Sequence, residues 1–429
     1  MLRPGQTIAI CVLALLTLGV VMVNSAGMAV SPIGAEVDAD GITPRSIILS
    51  RSTVYMLVAC GAFAAAAYAP ARRLTGRQWT VDNGQRTVDI LSGCRSQSDC
   101  PRSTVPCPLS PDRGLAVAGV VTLGLVAILG LVYIPGVGRE VNASSRWIAL
   151  PIAGGLSVQP SEIAKWGLIG LMAWLAAARA PLMPRFWLGL APALLLTGIV
   201  AGLVVIEDLG TGVLIAAATS VVLLAGGARL LHFAYIVPFG LLGIVGAIVV
   251  SPYRVRRLTA FLDPFADPQG AGYHMIQSMA AVAGGEGWGR GLGHGIQKFG
   301  YLPEDQTDFL FAIICEELGI AGAALVVGLY ACLLITGVLI VRREPSAFLK
   351  LLGIGVLATV GLQAIINLAV VTGLGPTKGI ALPLLSSGGT GWVLTAAALG
   401  LLAAMDRTQP APADDDESQP DAQAVPSMP

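Results

Sequence analysis

The chain has 429 residues, of which 55% are hydrophobic and only 12% charged, with a mean hydropathy of +0.75. Charged residues alone make up about a quarter of a soluble domain, so this composition excludes one and describes an integral membrane protein. The formal net charge is zero, which leaves no bulk basic surface for nucleic acid.

A helix that crosses a bilayer needs about 20 mostly apolar residues. In chain order the candidates are residues 8–30, 53–69, 115–134, 160–178, 186–206, 209–225, 230–250, 308–341, 351–371 and 388–405. The expected fold is all-α, a polytopic bundle of about ten transmembrane helices with one large loop, because helices satisfy their backbone groups within lipid. The first stretch ends in Val23-Asn24-Ser25-Ala26, which would also suit a cleaved signal peptide. Its apolar run exceeds the usual 7–15 residues of such a segment, however, and it is read as a span.

Lys and Arg of the short loops set the orientation. Arg3, Arg179, Arg185, Arg229, Arg342, Arg343, Lys350 and Arg407 fall on one side, which puts both termini in the cytoplasm. The same side receives the insertion 72–113, an irregular polar loop with Cys94, Cys100 and Cys107 but no CxxC spacing and no histidine. A zinc site there would lack a fourth ligand, and the insertion reads better as a partner site. Cys11, Cys60, Cys315 and Cys332 lie in apolar runs and read as small buried hydrophobes. The last stretch, 408–429, is rich in Pro, Asp and Ala and should be a disordered tail, leaving 1–407 as one membrane domain.

Between two spans lies a polar segment, 251–307, which orientation places outside the cell. A long loop of this kind can handle a polar head group while the spans hold an attached lipid. It closes on Asp308, where a carboxylate entering an apolar helix loses hydration and gains basicity useful to a general base. The same position would suit a helix N-cap, with Thr307 or Asp308 satisfying the free amides. Arg254, Arg256 and Arg257 could clamp a phosphate or anchor a helix end in head groups. The run 284–295 is glycine-rich but matches neither GxxxxGK[ST] nor GxGxxG in register. Its glycines are read as allowing close backbone approach to a substrate or a helix.

Further polar groups sit in or beside the spans. Glu162 and Lys165 share one helical face after Gln159-Pro160-Ser161 and can pair. Glu207-Asp208 marks a short break between spans, and Glu316-Glu317 follows Asp308 by about two turns. Residues 373–389, with Pro376, Lys378, Pro383 and Ser387, are too broken for a span and read as a re-entrant or cavity-lining segment. His232, His274 and His294 are scattered and assigned no metal.

These residues together carry a resemblance. Tyr253-Arg254, Arg257, Phe261-Leu262-Asp263-Pro264, Gly272-Tyr273-His274, Gln297-Lys298, Leu302-Pro303-Glu304 and Thr307-Asp308-Phe309 are similar to motifs of the shape, elongation, division and sporulation family. So are Arg146-Trp147-Ile148, Gln159-Pro160-Ser161-Glu162, Asp208-Leu209-Gly210-Thr211 and Pro376-Thr377-Lys378-Gly379. The forms Gly291-Leu292-Gly293 and Pro376-Thr377-Lys378-Gly379 look more like the division branch than the elongation branch. The chain departs from the family at Glu207, where a proline is usual, and at Ser387, where a tyrosine is usual.

The resemblance implies an inverting glycosyltransferase of a bacterial cytoplasmic membrane, polymerising lipid II into peptidoglycan. It also implies a monofunctional class B penicillin-binding transpeptidase and other division proteins as partners. The family's essential aspartate falls on Asp308, and Arg146, Glu162, Lys165, Arg254, Arg257, Lys298, Glu304, Lys378 and Ser387 become substrate-binding candidates. No cofactor is required by this reading, although a divalent cation, Mg2+ or Mn2+, could assist Asp308. Rival readings are a lipid II carrier without chemistry and a scaffold recruiting division proteins through the insertion and tail.

Overall fold

The computed structural model describes residues 3–27, 50–70, 111–134, 138–141, 144–149, 157–377, 379–387 and 389–409, and of Arg146 the backbone only. The insertion with its three cysteines, the tail after 409 and Lys378 therefore lie outside the described residues.

Among the described residues ten long helices follow the expected order: α1 (Pro4–Ala26), α2 (Arg51–Tyr68), α3 (Pro111–Gly130), α4 (Pro160–Ala178), α5 (Ala191–Glu207), α6 (Leu209–Ala225) and α7 (Leu230–Val249), then α10 (Leu310–Arg343), α11 (Ala347–Val371) and α12 (Thr390–Thr408). Six stretches among the described residues are long and apolar enough to cross a membrane. Two shorter helices, α8 (Pro252–Leu262) and α9 (Tyr273–Gly284), fold the large loop.

Local chemistry sets several helix ends. Pro160 begins α4, where its missing N–H costs nothing. The Asp208 carboxylate accepts from the backbone N–H groups of Gly210 and Thr211 at 2.9 and 3.2 Å and so starts α6. Ser346 caps α11 in the same manner through Leu349 N.

The core is built on α1, α10, α11 and α12. Helix α1 packs on α10 and α12, and α11 packs on α4, α6 and α10. Its Leu15, Leu16 and Met22 are fully buried, as are Leu385 and Leu399 near the chain's end. Helix α7 differs: Phe233 is its one buried residue, so nearly its whole surface is left to lipid.

Two features depart from the sequence reading. A small antiparallel sheet forms before α4, with β1 (Gly138–Val141) on β2 (Ser144–Ala149) and β2 on β3 (Ser157–Val158). These strands are too short to show alternation. Cys332 is exposed on α10 and Cys60 only half-buried, while Cys11 and Cys315 are buried. A thiol on a lipid-facing stripe is as apolar as its surroundings, so the run of hydrophobic neighbours did not reveal its side.

Candidate active site

The glycine-rich run folds against the start of α10, and glycine is what permits it. Gly319 interrupts that helix at φ 63°, ψ −155°, freeing backbone carbonyls one turn earlier. Arg290 N donates to Glu316 O at 3.0 Å and Gly291 N to Glu317 O at 2.9 Å. A β-carbon on Gly289 would strike Glu317 O, and one on Gly319 would strike Gly289 N. The run thus approaches a helix rather than a nucleotide.

The paired acids below it hold this loop in place. Glu316 accepts from the backbone N–H groups of Ile296 and Gln297 at 2.8 and 3.2 Å. Glu317 accepts from Ser25 Oγ on α1, from Gly293 N and Gly295 N, and from Lys298 Nζ at 2.8 Å. Lys298 also donates to Ser25 Oγ at 3.3 Å. Lys298 is 3% exposed, and its ammonium is committed to this pair. Lys298, expected at the substrate, is thus held in a buried ion pair that ties the loop to α10.

Arg254 is committed elsewhere too. It donates to Ala247 O at the end of α7 and to Val205 O and Ile206 O at the end of α5, at 2.9–3.0 Å. Helix C-termini carry unsatisfied carbonyls and partial negative charge, which a guanidinium complements. Arg257, one turn on, points to the other segment: it donates to Thr377 O at 3.2 Å and lies 4.6 Å from the Tyr253 ring centre.

Asp308 sits where the loop meets α10. The helix begins at Leu310 with Phe309 in the cap position and no side-chain cap bond there, so Asp308 lies one residue outside the N-cap. Its backbone carbonyl accepts from Asn367 Nδ2 at 2.8 Å. A β-carbon on Gly379 would come 2.5 Å from Asp308 Oδ2, so the segment after Pro376 passes directly against the carboxylate. Ser387 N donates to Gln306 O at 2.9 Å, which closes the broken segment onto the loop.

Other polar groups gather at this rim. Glu304 adopts φ 58° and its Oε2 accepts from Thr307 Oγ1 at 2.8 Å. The His274 ring lies 6.0 Å from that of Phe309. Burial lowers the His274 pKa and the Arg257 charge adds to the fall, with Glu304 opposing. Burial pushes the Asp305 carboxyl up to about 6, with the Glu304 charge adding to the rise against the pull of backbone N–H groups and Lys298. Among the described residues no three His, Cys, Asp or Glu side chains converge as a metal site.

Glu162 and Lys165 form a second, deeper group. Lys165 Nζ is 2.7 Å from Glu162 Oε1 and 3.2 Å from Gln363 Oε1, and the lysine is 1% exposed. Gln363 Nε2 in turn donates to Ala381 O at 2.8 Å. The ion pair thereby supports the segment that passes Asp308. Gln363 and Asn367 were missed in the sequence; two amides four residues apart in an otherwise apolar helix were the available signal. A separate, mostly apolar cavity of about 230 Å3 lies between α3, α4 and α5, with Val126, Leu129, Leu203 and Val204 in its walls. At its mouth Tyr133 donates to Glu207 Oε1 at 2.9 Å.

A helical bundle carrying a folded loop, with a carboxylate and a guanidinium at the junction of the two, defines a polytopic membrane protein. The family model described as Cell cycle protein, covering FtsW, RodA and SpoVE, matches residues 113–410. The chain belongs to this family. Stage V sporulation protein E of Bacillus subtilis (strain 168) is 41% identical over 284 residues, 65% of this chain and 76% of that protein. The probable peptidoglycan glycosyltransferase FtsW of Geobacter metallireducens is 33% identical over 401 residues, 93% and 94% of the two chains. A solved peptidoglycan synthase complex that coordinates polymerization and crosslinking contains a chain similar over 93% of this one and 96% of its own, with TM-score 0.62 and 25% identity. Thermus thermophilus RodA shares the fold, with TM-score 0.53 over 94% of this chain and 96% of its own at 23% identity.

Proposed function

We propose that this protein is a peptidoglycan glycosyltransferase that polymerises lipid II and works with a crosslinking transpeptidase. The observation that carries the reading is the placement of Asp308: a carboxylate at the mouth of a bundle, against a glycine, with Arg257 on the same segment through Thr377. The relatives named as peptidoglycan glycosyltransferases support the reaction class. The complex that coordinates polymerization and crosslinking supports the partner.

In the proposed step the 4-hydroxyl of an acceptor sugar attacks the anomeric carbon of a donor. The bond to polyprenyl pyrophosphate breaks, and its electron pair leaves with the pyrophosphate. Asp308 takes the hydroxyl proton as general base. Arg257 and Lys378 stabilise charge developing on the leaving group, and Glu304 and Ser387 border the same rim. An activated leaving group needs little protonation, so one acceptor-side base suffices, and a single displacement inverts the centre. The division branch is preferred on the motif forms at 291–293 and 376–379, with elongation as the alternative. A bacterial cytoplasmic membrane is part of this reading, supported by the bacterial relatives, and both termini inside is supported by the loop charges.

The test is purified protein in liposomes with labelled lipid II. Polymer that disappears in Asp308→Asn, while the variant still inserts, supports the enzyme. Leaflet exchange without polymer supports a carrier, and undiminished turnover of the variant rejects the base.

A further inference from the structure

Two amide side chains on α11 hold the surroundings of Asp308. Asn367 is 1% exposed, and its Nδ2 donates both to Asp308 O at 2.8 Å and to Ile380 O at 2.7 Å. Carbonyl oxygens only accept, so a single orientation of the amide makes both bonds. Gln363, four residues earlier and on the same face, donates through Nε2 to Ala381 O while its Oε1 accepts from the Lys165 ammonium. That orientation is fixed too, since an ammonium only donates.

Gln363 and Asn367 therefore grip the consecutive carbonyls of Ala381 and Ile380, next to Gly379. Gly379 is the residue whose bare α-carbon lies against the Asp308 carboxylate. Asp308 is located twice: at its carbonyl by Asn367 directly, and at its carboxylate by a segment that the two amides fix. Asn367 also leaves its Oδ1 buried without a partner among the described residues, a cost that an apolar side chain of similar volume would avoid. Plain packing of α11 does not account for an amide there.

We propose that Asn367, supported by Gln363, is a positioning residue that sets the Asp308 carboxylate for proton abstraction. The inference rests on the reading of Asp308 as base. Displacing a catalytic group by about 1 Å can cost about 10²-fold in rate, and this cost falls on the chemical step rather than on binding.

The experiment measures kcat and KM for lipid II polymerisation by the full chain, alone and with its transpeptidase. The proteins are wild type, Asn367→Leu, Gly379→Ala and Asp308→Asn, each checked for folded protein by size exclusion. Asn367→Leu and Gly379→Ala should each lose about 10²-fold in kcat with KM changed by less than about threefold. A kcat within about threefold of wild type, or a loss expressed in KM alone, overturns the inference. If Asn367→Leu does not fold, Gly379→Ala decides, and normal turnover in it overturns the inference as well. Undiminished Asp308→Asn rejects the base itself, whereas inactive Asp308→Asn beside normal Asn367→Leu and Gly379→Ala rejects only the positioning.

Discussion

Lys298 and Glu317 form an ion pair at 2.8 Å with both side chains wholly buried. The pair joins the loop to α10, and through Ser25 it also joins both to α1. Removing one member of a buried pair leaves the other uncompensated, at a cost of about 3–5 kcal/mol. Lys298→Met should therefore lower the unfolding midpoint of the purified protein sharply. The remaining folded fraction should bind lipid II with near-normal KM. A raised KM without loss of stability would instead return Lys298 to the substrate.

Arg254 and Arg257 are three residues apart but face different tasks. Arg254→Leu strips charged donors from the ends of α5 and α7, each such bond being worth about 1.5–3 kcal/mol. Its main effect should be on thermal stability. Arg257→Leu should leave stability nearly intact and depress kcat/KM by at least about tenfold, as expected for loss of charge stabilisation at a leaving group. Measuring both quantities for both variants checks the division, and identical profiles would contradict it.

Asp305 should make the loop sensitive to pH. Burial first, and the Glu304 charge second, raise its carboxyl from 3.8 to about 6. A group bound more tightly to its proton in the native state favours folding at low pH. That advantage is complete below about pH 4 and is lost as pH rises through about 6. Asp305→Asn should thus raise the melting temperature at pH 7.5 and raise it much less at pH 4.5. Thermal unfolding of both proteins across that range is the check, and an equal difference at both ends would refute it.

Gly319→Ala should detach the glycine-rich run from α10. The new methyl would meet Gly289 N while the backbone stays at φ 63°, ψ −155°, a region essentially confined to glycine that costs about 1–3 kcal/mol before any clash. Faster proteolysis within 285–298 is the expected result, with α11 and α12 unaffected.

The helices were legible in the sequence because each is a mostly apolar run, and Pro160 and Asp208 mark ends as their chemistry requires. The loop and its junction at Asp308 were legible for the converse reason, a polar stretch between apolar ones. What could not be read was the pairing of polar groups across elements. Lys298 lies in a polar loop, and nothing local shows that it reaches Glu317 and Ser25. Arg254 and Arg257 look alike until the first is seen to reach the ends of α5 and α7 and the second the carbonyl of Thr377. Asn367 was overlooked because one amide scarcely alters the hydropathy of a 25-residue helix.

Helix α10 leaves helical geometry at Gly319, and residues 320–343 beyond it span about 36 Å at about 1.5 Å per residue, against a hydrocarbon layer of about 30 Å. With Arg342 and Arg343 in the last turn, where long basic side chains can reach head groups, this second part is long enough to cross the layer by itself. Glu316 and Glu317, which precede the break, therefore need not lie within a span, although hydropathy alone would count them as part of one.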